Sequence, residues 1–247
     1  MRLTLAEPTY LKESVSIISD LVNEARFKIT PDAVELVAMD PANVAMVIFK
    51  LFSTAFTDYK VDKPLTIGLN LANLKQLLKR VKGSDIVIIE IEENKLKLQL
   101  RGVVLRTFHL PIIDLEESEQ KVPSLEFPFS LVLDATLLTE AIEDADTVAD
   151  SVSFVAEKNK FSVIAEGDLS KVAVEIQEGE GVTIKGNVEG KIKAKYAIDY
   201  LKKMVKGDRI SHEVLVKFNK DYPLRMDYIE KDKIGLSFIL APRVENE

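Results

Sequence analysis

The stretch "LLKRVKG" at 77–83 returns as "LKKMVKG" at 201–207, with five of the seven positions identical. Each copy closes a segment whose apolar residues recur at three- and four-residue intervals. These are Leu74, Leu77, Leu78 and Val81 in the first, and Ile198, Leu201 and Val205 in the second, with Ala194 and Ala197 alongside. The spacing predicts amphipathic helices over 71–82 and 194–206, each with one buried stripe and one wet face. Lys75, Lys79 and Lys82 fall at i, i+4 and i+7 of the first, with Arg80 close by; Lys195, Lys202 and Lys206 share a side of the second, with Lys203 adjacent and Asp199 interrupting. A local explanation exists. Cations in a last turn complement the helix dipole, and a following glycine (Gly83, Gly207) is a common C-cap. It accounts less well for cations reaching back two turns in a chain with 40 acidic and 33 basic residues and a formal charge of −7.

The repeat extends well beyond these seven residues. A shift of 127 lays Phe27 on Phe154, Val34 on Phe161, Val15 on Ile142 and Val44 on Lys171; a shift of 124 lays Val81 on Val205 and Gly83 on Gly207. Two further helical patterns, over 9–22 (Leu11, Val15, Ile18, Val22) and 135–149 (Leu138, Ala141, Ile142, Ala145, Val148), complete one pair per half. The remaining signal is strand: 33–39, 44–51, 86–92, 95–101, 152–157, 160–166, 213–219 and 234–240 alternate and are rich in β-branched residues, separated by turns such as "EEN" and "EKN". Two copies are too few for a solenoid, so the pattern implies a duplicated domain. The class is α+β, with antiparallel sheets carrying two helices per domain on one face. The acidic stretch "DLEESEQKVPSLEF" (114–127) reads as a surface connector. The expected boundaries are 1–115, a connector at 116–126, and 127–247.

Composition narrows the function classes. With 47% hydrophobic and 30% charged residues the chain should fold. It has no apolar run of the roughly 18–20 residues that would span a bilayer, and "MRLTLAEPTY" lacks the core of a secretory signal. Cysteine is absent, which excludes disulfides and thiolate metal sites and gives an intracellular expectation. High charge with no Cys, no Trp and four Gln suits a heat-adapted source. Catalytic signals are poor. His109, in "LRTFHLP", and His212 stand in unrelated contexts, and no GxxxxGK[ST] phosphate loop occurs. The glycines of "EGEGVTIKG" (178–186) are wrongly spaced for a dinucleotide fingerprint, and the segment reads as a loop. Asp144 and Asp146 could hold Mg²⁺, but in so acidic a chain they read as surface. No cofactor or metal is expected, and an enzyme is the less favoured class.

Together these features resemble the sliding clamp of archaea and eukaryotes, the proliferating cell nuclear antigen family. The carrying motifs are "AMDPANVAMV" (38–47), "LKQLLKRVKG" (74–83), "KVPSLEFPF" (121–129), "YPLRMDY" (222–228) and "ILAPRVE" (239–245), in order along essentially the whole chain. The resemblance implies a trimeric ring of two-domain subunits, with sheets outside and helices facing a hole that holds duplex DNA. It also implies a non-enzymatic tether for DNA polymerase, ligase and flap nuclease, loaded by an ATP-driven clamp loader and placed in the cytoplasm with the nucleoid. A checkpoint-type clamp subunit is the alternative within the fold; a metal-dependent hydrolase is the alternative outside it.

By residue matching, the resemblance makes Lys75, Lys79, Arg80, Lys82, Lys202, Lys203 and Lys206 the DNA-facing set, with Lys12 weaker. It places a partner-peptide pocket at Met39, Val44, Met46, Val122, Pro123, Pro223, Ile239, Ala241 and Pro242, with the tail "RVENE" adding main-chain bonds. Subunit contacts would join the segments 103–111, with Arg106 and His109, and 170–178, with Glu175 and Glu178. The third helix departs from the family pattern by carrying Glu140, Glu143, Asp144 and Asp146. Two accounts are open: Glu140 and Asp144 meet cations of a neighbouring subunit, near Lys82 or Arg106, or the chain belongs to a mixed ring with paralogous subunits.

Overall fold

The computed structural model describes residues 1–116, 120–179, 181–186, 188 and 190–243. The N-terminal run of elements is β1 (Arg2–Leu5), α1 (Thr9–Ile18), β2 (Glu24–Ile29), β3 (Ala33–Met39), β4 (Ala45–Phe52), β5 (Asp58–Lys60), β6 (Leu65–Asn70), α2 (Leu71–Leu78), β7 (Ile86–Glu92), β8 (Lys95–Arg101) and β9 (Leu105–Pro111). The C-terminal run is β10 (Phe129–Asp134), α3 (Ala135–Asp146), β11 (Ser151–Glu157), β12 (Lys160–Glu166), β13 (Lys171–Gln177), β14 (Val182–Gly186), β15 (Ile192–Ala197), α4 (Ile198–Met204), β16 (Glu213–Lys217), β17 (Leu224–Glu230) and β18 (Ile234–Leu240).

The duplication is visible in strand order. The first run pairs as β5-β1-β7-β8-β9 and β4-β3-β2-β6; the second as β14-β10-β16-β17-β18 and β13-β12-β11-β15. Adding nine to each strand number converts one set into the other. Two compact units result, Met1–Pro41 with Val47–Val122 and Glu230–Leu236, and Ala42–Met46 with Pro123–Ile229 and Ser237–Glu247.

The strands form where the apolar period is two. In β8, Leu96, Leu98 and Leu100 are buried while Lys95 and Arg101 are exposed, and the hairpin with β7 is closed by Glu93 at φ 54, a left-handed turn residue. The corresponding turn between β11 and β12 places Asn159 at φ 61. The two cores differ in chemistry. In the first, aliphatic residues including Leu3, Leu11, Ile67 and Leu98 gather with Phe27 around an apolar cavity of about 40 Å³. In the second, Phe154 meets Phe161, Tyr196 and Phe218 edge-on, at centroid distances of 5.3, 5.4 and 5.9 Å. Burial pushes the Tyr196 phenol far up, and its hydroxyl donates to the Tyr222 carbonyl at 2.8 Å.

Three expectations need correction. The segment 194–206 is not one helix: Ile192–Ala197 is a strand, and α4 begins at Ile198. Ile192, Ala194 and Tyr196 are buried at every second position, and pairing with β11 outweighs the helical propensity of Ala194 and Ala197. Lys195 therefore lies on a strand. The segment 182–186 inside "EGEGVTIKG" is not a loop but β14, paired with β10 from Phe129↔Gly186 to Leu133↔Val182. Finally, neither glycine of the repeated motif is a left-handed cap. Helix α2 ends at Leu78, with Lys79 in right-handed geometry, four residues before Gly83. Gly207 lies in a 3-10 turn, Val205–Arg209, where an added Cβ would come within 2.4 Å of the Tyr228 ring.

Candidate nucleic-acid interface and partner surfaces

Helix α2 starts where the Asn70 side chain accepts from the Asn73 N–H at 3.0 Å, and it buries Leu71, Leu74 and Leu78. Its C-terminal end leaves Lys79, Arg80 and Lys82 exposed in the following turn. That turn is held by an acid the sequence reading passed over. Asp85, 3% exposed, accepts from the Lys82 backbone N–H at 2.7 Å and from the Arg106 guanidinium. Arg106 also donates to the Arg80 carbonyl at 2.9 Å. The Lys82 N–H, together with the Arg106 guanidinium, holds the Asp85 carboxyl below the usual range. A Cβ on Gly102 would sit 2.3 Å from the Asp85 carboxylate, so that glycine lets the acid lie flat against β8. The signal for Asp85 was its place three residues after Lys82, where a short side chain can reach back to a turn N–H.

Lys75 points elsewhere. Its ammonium bonds to Asp20 at 2.7 Å and to the Ser16 carbonyl at 3.1 Å, joining α2 to the end of α1. Lys12 is half-buried on α1.

In the second unit, the Asp134 side chain caps α3, accepting from the Thr136 N–H at 2.8 Å and its hydroxyl at 2.6 Å; these bonds lower its pKa. Buried Leu138, Ala141, Ile142 and Ala145 set the inner face of α3, leaving Glu140, Glu143, Asp144 and Asp146 exposed. Lys202 on α4 bonds to Asp146 at 2.6 Å, and that carboxylate raises its pKa. Lys203 lies 5.4 Å from the Tyr200 ring centroid, and Lys206 is half-buried in the 3-10 turn. Among the described residues, Asp146 of α3 is thus matched by a cation of its own chain.

The segments 103–111 and 170–178, which the resemblance assigned to subunit contacts, contain β9 and β13. Strand β9 ends one sheet and β13 ends another. On β9, Arg106 is engaged with Asp85 as above, and the His109 ring nitrogen lies 3.4 Å from Glu92. On and after β13, Glu175 is 3.2 Å from Lys160, and Glu178 accepts from the Ile184 N–H at 3.3 Å.

The pocket candidates divide by burial. In the second unit, Met46 and Ile239 are 6% exposed and belong to the core. Pro223 and Pro242 are half-buried, Pro123 and Ala241 are exposed, and the Val44 carbonyl accepts from the Ala241 N–H at 2.9 Å. In the first unit, Met39 is half-buried at the end of β3 and Val122 is 42% exposed. In the tail "RVENE", everything after Arg243 lies outside the described residues, as do 117–119 of the connector. The described residues hold no cluster of three or more His, Cys, Asp or Glu that could bind a metal ion, and no helix long and apolar enough to cross a membrane.

Comparison with known proteins agrees with this architecture. Family models described as proliferating cell nuclear antigen, N-terminal domain, and proliferating cell nuclear antigen, C-terminal domain, match residues 1–105 and 121–243. The DNA polymerase sliding clamp of Nanoarchaeum equitans is 40% identical over 248 residues, covering 98% of this chain and 99% of its own. The crystal structure of the antigen from Thermococcus kodakaraensis superimposes with a TM-score of 0.91 at 27% identity, covering 98% of this chain and 99% of that one. A chain of the PCNA2–PCNA3 complex from Sulfolobus tokodaii gives 0.90 at 26% identity, with the same coverage.

Proposed function

This chain belongs to the proliferating cell nuclear antigen family, and from that premise we infer how it works as a DNA polymerase sliding clamp. It acts as a tether, not a catalyst. Three subunits close around duplex DNA, and retention comes from the closed ring, so contact with phosphates need only be weak and sequence-independent. The observation that carries this reading is the exposed turn Lys79–Arg80–Lys82, fixed from behind by Asp85 and Arg106. Lys203 supplies a matching cation in the second unit, with Lys206 in the 3-10 turn that follows α4. Lys75 and Lys202 contribute less, because Asp20 and Asp146 already neutralise them.

Strand β9 of one subunit pairs with β13 of the next, covering two edges that would otherwise stay open. Residues 116–126 connect the domains. Short peptides of polymerase, ligase, nuclease and clamp loader engage the accessible candidates of each unit, Met39 and Val122 in the first, and Val44, Pro123, Ala241 and Pro242 in the second. Met46 and Ile239, being buried, do not meet the peptide directly.

The test compares nicked circular DNA with the same DNA linearised. Loaded protein stays on the circle at high salt and leaves the linear form. Equal loss from both removes the tethering reading. A mixed ring is a second reading, supported by the remaining exposed acids Glu140, Glu143 and Asp144 and by a structural relative that is itself a complex of two clamp chains. The mass of the assembled protein, alone and with paralogous chains, separates the two.

A further inference from the structure

The duplication carries information about the two sheet edges β9 and β13 beyond the fact that both are edges. Adding nine to a strand number takes β9 to β18 and β4 to β13. Those counterparts, β18 and β4, are hydrogen-bonded to each other. In the second unit the Ala241 N–H donates to the Val44 carbonyl, and in the first the Phe52 N–H donates to the Lys233 carbonyl, both at 2.9 Å. Eight residues forward on β4 thus answer to eight residues back on β18, an antiparallel ladder in one register. The chain already contains, once, the pairing that β9 and β13 would make between subunits.

That internal ladder fixes a register for the external one. The repeat lays Val44 on Lys171. The last buried residues of β9 and β18, Leu110 and Leu240, correspond, which sets Pro111 in the place of Ala241. Pro111 then lies opposite the partner's Lys171, His109 opposite the partner's Ala173, Thr107 opposite the partner's Glu175 and Leu105 opposite the partner's Gln177. Two features not used in the transfer agree with it. The Ile112 N–H donates to the Asn94 carbonyl and the Glu178 N–H to the Asn159 carbonyl, so on both strands the odd-numbered residues aim their backbone groups at the outer edge. Every pair above joins odd with odd. Like faces also meet: half-buried Phe108 falls opposite the partner's half-buried Val174. Pro111, with no N–H to donate, ends the ladder.

Pairing these strands sets two helices side by side, because α2 packs on β9 and α3 on β13. Lys75, bonded to Asp20, marks the side of α2 that faces α1. Leu77 and Arg80 stand two and five residues on, roughly 200° and 140° around the helix. On α3, the Thr139 bond to Asp208 and the Asp146 bond to Lys202 mark the side facing α4 and its following turn. Leu137 and Asp144, two residues before Thr139 and five after it, stand on the other side. Leu137 is 40% exposed, a large apolar side chain that its own unit does not cover. Arg106 is held by Asp85, whereas the Arg80 side chain is exposed. We propose that the subunit junction has this register and is closed by an ion pair between Arg80 and the partner's Asp144, with Leu77 against the partner's Leu137. The proposal rests on the β9–β13 closure inferred above. It uses one of the exposed acids of α3 and the flank of the DNA-facing set, leaving Lys79 and Lys82 for phosphates.

The chain has no cysteine, so introduced pairs report register without background. In the full chain under a glutathione redox buffer, Thr107→Cys with Glu175→Cys forms covalent dimers and trimers. It does so at least about tenfold faster than Thr107→Cys with Ala173→Cys or with Gln177→Cys, whose Cα atoms would lie about 7–8 Å apart. Arg80→Asp and Asp144→Arg each raise the concentration at which the assembly dissociates by about tenfold, and the double exchange restores it to within about threefold. Glu143→Arg, on the Lys202 side of α3, shifts it less than about threefold. Faster cross-linking of a shifted pair overturns the register and leaves the closure standing. No loss in the single exchanges, or no recovery in the double, overturns the ion pair. A chain that stays monomeric and cross-links through none of the pairs overturns the closure and this proposal with it. Cross-linking in the expected register, in a protein lost equally from circular and linear DNA, supports the junction and removes the tethering reading alone.

Discussion

Lys202 on α4 and Asp146 at the end of α3 form a 2.6 Å ion pair within one chain. An acid on the third helix therefore answers a cation on the fourth, and part of that helix's departure from the family pattern is settled without a neighbour. Asp146→Asn releases Lys202 toward the solvent. Binding of the chain to short duplex DNA should tighten by roughly two- to fivefold at low salt, with the gain fading as salt rises. Titration at two ionic strengths reads the effect directly; unchanged affinity at both means Lys202 does not face DNA.

The turn after α2 gives a sharper electrostatic expectation. Replacing Lys79 and Lys82 with Ser should lower the slope of log K against log salt by roughly 1.8, about 0.9 for each phosphate that is no longer neutralised. The same two changes should leave thermal stability nearly unaltered, because both side chains are exposed. An unaltered slope places this turn away from the DNA.

Acid should loosen that turn. Asp85 has its native pKa lowered by the Lys82 N–H and by Arg106. A carboxylate depressed in the folded state contributes stability above its unfolded pKa of about 3.9 and loses it as pH falls toward the native value. Asp85→Asn should therefore melt below the parent at neutral pH, with the gap closing below about pH 4. Melting curves from pH 7 to pH 3 measure the convergence.

The two glycines of the repeated motif should respond differently. Nothing lies within 4 Å of a Cβ built on Gly83, whereas one on Gly207 meets the Tyr228 ring. Gly207→Ala should cost roughly 1–3 kcal/mol by overpacking, and Gly83→Ala should stay within about 0.5 kcal/mol of the parent. Chemical denaturation separates them.

Burial also divides the peptide surface. Met46→Ala should destabilise the fold by about 2–5 kcal/mol. Val122→Asp should leave stability near the parental value while weakening capture of a partner peptide from a polymerase. If Val122→Asp binds peptide normally, the docking surface lies elsewhere.

Where periodicity was strong and one face was buried, the sequence could be read directly. Strands β3, β7, β8, β12 and β18 lie where alternation placed them, because a period-two pattern fails in any other conformation. The duplication was legible for the same reason: Phe27 and Phe154 must both point into a core, whichever half they occupy. Local pattern failed where partners come from far along the chain. Strand β14 is an exposed edge with little apolar content, and only its pairing with β10 makes it a strand. Lys195 looked helical because alanines surround it, until β11 claimed its backbone. Asp85 with Arg106, Lys75 with Asp20 and Lys202 with Asp146 are separated by 21, 55 and 56 residues. One-dimensional order thus determined that this chain is a doubled sheet-and-helix domain with basic helix ends. Three-dimensional contact alone decided which of those cations remain available, because an ion pair depends on distances that only folding creates.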